Sequence, residues 1–76
     1  MSPRRLPPLK PDAVIRALER AGFFVARTRG SHYLLKNADG SRRVTVPFHR
    51  KDLRAGTLHA IIRDSGLSME QFMELL

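Results

Sequence analysis

The sequence predicts an α+β domain, a two-layer sandwich in the order α-β-β-β-α-α built on a three-stranded antiparallel sheet. Three observations carry that prediction. Apolar residues recur at helical spacing on both sides of the chain's middle, at Val14, Ala17, Leu18 and Ala21 and again at Leu58, Ile61 and Ile62. Between them lie three short runs rich in strand formers, joined by connections too short for a crossover, which makes the sheet an antiparallel meander. A length of 76 residues fits one domain and leaves no room for a second.

Residues 1–9 hold three prolines and two arginines without a period and read as a flexible, extended arm ahead of a domain at 10–76. Pro11-Asp12 then opens the first helix, over about 11–21, because proline suits the first helical turn and an acid there matches the dipole. Gly22 supplies its stop, and Arg16, Glu19 and Arg20 fall on the outward side. The run from Phe23 to Thr28 is the first strand, Arg29-Gly30-Ser31 a turn, and His32 to Lys36 the second strand. Asn37-Ala38-Asp39-Gly40 marks a hairpin, and Arg42 to Val46 is a third strand closed by Pro47. Residues 48–56 form a basic loop. Thr57 is the expected N-cap of the second helix and Gly66 its stop. Ser68-x-x-Gln71 is a capping box, opening a last helix whose apolar side is Met69, Phe72, Met73 and Leu76.

Strand alternation assigns the faces. With Val44, Val46, Tyr33 and Leu35 toward the helices, the open face gathers His32, Lys36 and Arg43, with one of Arg27 or Thr28. Tyr33 and the phenylalanines are assigned to the core rather than to base stacking.

Composition narrows the chemistry. There is no cysteine, hence no disulfide framework, thiolate metal site or thiol nucleophile. No apolar run approaches a membrane span, and the basic N-terminal residues are followed by no signal-peptide core, so a cytoplasmic protein is expected. The net charge is +7, divided as +9 over residues 1–54 and −2 over residues 55–76. At this size such a balance attracts polyanions, nucleic acid foremost.

Phosphate-loop, dinucleotide and zinc-helix motifs are all absent. His32, His49 and His59 lack the spacing of a metal site, so neither metal nor cofactor is expected. Ser31 and His32 are neighbours on a strand, where adjacent side chains diverge, so they do not form a nucleophile pair. What remains is histidine among cations, and metal-free RNA cleavage asks for little more. Histidine titrates near neutral pH and serves as base or acid, while Lys and Arg stabilise the charged phosphorane. His32 stands among Arg27, Arg29, Lys36 and Arg43, next to Gly30, which permits close backbone approach by a ligand. The residues alone leave two readings of His32, catalytic or merely structural. His49, beside Arg50 and Lys51, is a candidate for positioning phosphate or a plain loop histidine. His59 is assigned to the surface.

The ordered combination Gly22-Phe23, Arg29-Gly30-Ser31-His32, Val44-Thr45-Val46-Pro47-Phe48-His49, Gly56-Thr57-Leu58-x-x-Ile61-Ile62 and Gly66-Leu67-Ser68-x-x-x-Phe72 resembles the HicA family. These are toxins of HicAB type II toxin–antitoxin modules, and the resemblance runs over about residues 10–74. It implies a double-stranded-RNA-binding-domain-like fold, ribosome-independent endonuclease activity on mRNA, and neutralisation by a HicB antitoxin. It also implies that His32 is the catalytic histidine, with Gly30 and Ser31 its motif neighbours and His49 a second family histidine. The proline-rich arm departs from a minimal member.

A plain double-stranded-RNA binder opens its last helix with a lysine cluster, which Thr57 and its neighbours lack. The expectation is therefore a toxin that cuts mRNA without metal, with His32 catalytic. Arg27, Arg29, Gly30, Ser31, Lys36, Arg43, His49, Arg50 and Lys51 would contact RNA, and an acidic HicB-like antitoxin would cover the His32 face. The competing expectation is a non-catalytic basic RNA- or DNA-binding module using the same sheet.

Overall fold

A computed structural model of the chain describes residues 6–76. Its elements are α1 (Pro11–Arg20), β1 (Phe24–Arg29), β2 (His32–Lys36), β3 (Arg43–Pro47), α2 (Ala55–Ser65) and α3 (Met69–Glu74). The strands form one antiparallel sheet with β2 central. One face packs on the helices through Val14, Leu18, Leu35, Val46, Ile61 and Phe72, and the other is open. This is the α+β sandwich read from the sequence, consistent with a double-stranded-RNA-binding-domain-like fold.

The end of α1 decides how β1 begins. Gly22 takes φ +96°, its N–H bonds to the Glu19 carbonyl, and the Phe23 N–H reaches the Leu18 carbonyl, both at 3.0 Å. That paired closure drops Phe23 into the core beside Leu18. Phe24, one residue on, must then face away.

In β1 the register shifts between Val25 and Arg27, so Ala26 is an extra residue without a partner on β2. Val25 pairs with Leu35, yet Arg27 pairs with Leu34 and Arg29 with His32. Cross-strand partners share a face, so the bulge turns both arginines to the side where His32 points. The open-face position left between Arg27 and Thr28 thus belongs to Arg27.

Gly30-Ser31 is a two-residue hairpin loop with φ +57° at Gly30 and no positive φ at Ser31, the pattern of a type II′ turn. Gly30 is there for the turn. A Cβ at Gly30 would meet open space within the chain, so it is the positive φ of the turn that calls for glycine there. At the other hairpin, the Asn37 side chain accepts from the Arg42 N–H at 2.9 Å, and Asp39 accepts from the Ser41 N–H at 2.9 Å.

Several expectations shift. The second helix starts at Ala55 with the extended Arg54 as N-cap and no side-chain capping hydrogen bond, so Thr57 lies inside the first turn and is not the N-cap. Leu53, isolated in a polar run, is buried and anchors the preceding loop. The capping box of Ser68 and Gln71 forms in both directions, at 2.8 and 3.0 Å. On α3, Phe72 is buried as expected, but Leu76 is 45% exposed and Leu75 packs inward instead. Of the expected arm, residues 1–5 lie outside the described residues. Leu6 and Leu9 pack on the core, and the Leu9 carbonyl accepts from the Leu53 N–H at 2.8 Å.

Candidate nucleic-acid interface

The open sheet face consists of three cross-strand rows. Phe24, Lys36 and Arg43 form the first, Arg27, Leu34 and Thr45 the second, and Arg29, His32 and Pro47 the third. All four strand cations therefore sit on one face. None of the chain's 7 acidic residues lies on a strand. An anion on this surface meets positive charge with no carboxylate opposing it.

His32, exposed as the first residue of β2, is the histidine of this face, directly opposite Arg29. Its backbone is held from both sides by one residue of the chain after β3. The Phe48 N–H bonds to the Ser31 carbonyl at 2.6 Å, and the Phe48 ring stacks on Tyr33 with centroids 4.6 Å apart and planes 14° apart. Pro47, with no N–H to offer β2, takes the edge position across from His32. Lys36 and Arg43 belong to a row four strand residues from His32, about 13 Å away at the strand rise. That separation puts them in a different part of the face from His32 and Arg29.

The remaining predicted contacts lie elsewhere. His49 and Arg50 line a separate groove of ≈ 550 Å³ with Lys10, Asp12 and Phe48, where α1 begins. Lys51 is an exposed loop residue beyond it. His59 borders another groove, formed with Leu53, Leu58 and Met69. Tyr33 is on the helix side, as expected. Of the phenylalanines, only Phe23 and Phe72 are core, because Phe24 is 48% and Phe48 37% exposed. Sequence reasoning missed Phe24 on the open face; the Gly22 stop that buries Phe23 was the signal for it. Among the described residues no group of three His, Asp or Glu side chains is arranged to hold a metal ion, and no helix is long and apolar enough to cross a membrane.

Fold and face together define a small double-stranded-RNA-binding-domain-like α+β domain whose uncovered sheet is basic and carries one histidine. Residues 12–67 match the family described as the "HicA toxin of bacterial toxin-antitoxin", which spans all three strands and α2. The chain belongs to the HicA toxin family, and an antitoxin is the partner that membership implies. No curated protein matches it.

Proposed function

We propose that this protein is the toxin of a type II module that cleaves mRNA in the cytoplasm without a metal ion, with His32 as the proton-transferring residue. The observation that carries the reading is the row formed by His32 and Arg29 on a face free of carboxylates. In this chemistry a base takes the 2′-hydroxyl proton and the oxygen attacks the adjacent phosphorus. The bond to the 5′-oxygen breaks, and that oxygen leaves with a proton. The products are a 2′,3′-cyclic phosphate and a 5′-hydroxyl. His32 supplies one of the two proton transfers, and Arg29, with Arg27 one row on, offsets the charge that gathers on the phosphorane. Of the other candidates, Tyr33 is turned to the opposite face, Lys36 is about 13 Å off and His49 lines a separate groove, which favours water for the second transfer. Gly30 and Ser31 act through the turn that delivers His32.

A HicB-like antitoxin of acidic character would inhibit by covering this face, with fast, salt-sensitive association. The exposure of His32 also suits the second reading, a basic module that binds RNA or DNA without cutting it. One assay separates them. In EDTA, wild-type protein should cut RNA and leave cyclic phosphate ends, and His32→Ala, folded by circular dichroism, should be slower by about 10²–10⁴-fold. Equal cutting by the folded variant sinks the mechanism; no cutting by either, with RNA bound, favours the binding module. Growth arrest on induction, relieved by His32→Ala, is the corresponding result in cells.

A further inference from the structure

Phe24 is the most exposed large apolar side chain of the open face, where Leu34 is half-buried, and its place there is imposed rather than incidental. Burial of Phe23 by the α1 closure turns it outward, and its register partner is Lys36, itself paired with Arg43. A single exposed apolar residue on a soluble domain ordinarily calls for no explanation. This one is different in its surroundings: it leaves nearly half of its surface in water within a row that is otherwise cationic. An apolar protein partner covering the ring would have to desolvate Lys36 and Arg43 as well, which is costly without counter-charges. A single-stranded nucleotide brings a flat ring and a phosphate together and satisfies both halves of the row.

We propose that Phe24 is a stacking platform for one unpaired base of the RNA, with Lys36 and Arg43 holding the adjoining phosphate. The inference rests on the nucleic-acid reading of this face and names a base-binding subsite within it. Because that row is about 13 Å from His32, the stacked base is not the one whose 2′-hydroxyl reacts. Phe24 would instead fix where the strand lies as it crosses the sheet. Stacking reads a ring and not a hydrogen-bond pattern, so the subsite accepts any base.

The chain has no tryptophan, so Phe24→Trp introduces a single fluorophore at the subsite. It is combined with His32→Ala to prevent cutting. The probes are a short single-stranded RNA and an oligonucleotide of equal length and charge with abasic sugars. RNA should quench the tryptophan emission and the abasic strand should not. With His32→Ala alone as reference, adding Phe24→Ala should weaken RNA binding roughly 5- to 150-fold and leave abasic binding unchanged. Phe24→Tyr should retain the affinity and Phe24→Leu, apolar but unable to stack, should not. RNA binding with unaltered emission and undiminished affinity in Phe24→Ala overturns the platform and leaves Phe24 to a protein partner. Failure of the His32→Ala protein to bind either strand overturns the nucleic-acid reading itself, and this inference with it.

Discussion

Two residues of the hairpin loops show how much a single position decides. Gly30 has φ +57° and free space where a Cβ would go, so Gly30→Ala meets no clash, only backbone strain. A positive φ at the first central position of a type II′ turn costs an L-residue about 1–3 kcal/mol. Thermal unfolding should report a loss of that size, and cleavage should fall with it if the altered turn moves His32. In the other loop, hydrogen bonds from Ser41 hold the Asp39 carboxyl below the usual aspartate range. A depressed folded value means this contribution to stability is present above the unfolded pKa and fades as pH drops through the folded one. An NMR titration should place Asp39 below the value of an aspartate in an unstructured peptide, and Ser41→Ala should raise it.

At the scale of elements, helix ends and strand ends do the positioning. Gly66 closes α2 at φ +78°, and the Arg42 side chain lies where its Cβ would go. Arg42 can move aside, so Gly66→Ala should cost about 1–2 kcal/mol, mainly from the backbone, read as a lower denaturation midpoint. Phe72 ties α3 to the core with its side chain fully buried, and Phe72→Ala should cost about 3–5 kcal/mol, enough to unfold much of a domain this small. Phe48 is the subtler case. Its backbone bond to Ser31 survives truncation but its ring stack on Tyr33, the residue after His32, does not, so Phe48→Ala should lower kcat more than it raises KM, and Phe48→Tyr should restore it. A fall in stability with kcat intact would reduce Phe48 to a packing role.

For the whole molecule, the relevant quantity is how charge is spread. The net +7 is not even: the strand cations share one face while the acids lie on helices and loops. RNA affinity should therefore fall steeply with salt. Each of Arg27→Gln and Arg43→Gln should flatten the log–log slope by about 0.7 if the residue neutralises one phosphate of a single strand. A matching change in Arg63→Gln, on α2, would mean that the binding surface is not the sheet.

Element order, the meander, the capping box and the helical stops were legible in the sequence, because each rests on local periodicity, turn chemistry or a cap. The HicA resemblance was legible as well, since ordered motifs survive without coordinates. Thr57 misled because a good capping residue was available, yet Leu53 docks on the core and the helix starts three residues earlier, with Arg54 as its N-cap. Only the tertiary structure could decide the faces of β1. Alternation read along the strand cannot see that Ala26 is left out of the pairing, because a bulge is defined by the partner strand. That one unpaired residue brings Arg27 and Arg29 to the side of His32, and the closure of α1 sends Phe24 there too. The sequence determined which side chains were available for chemistry; pairing between distant segments decided which of them share a surface.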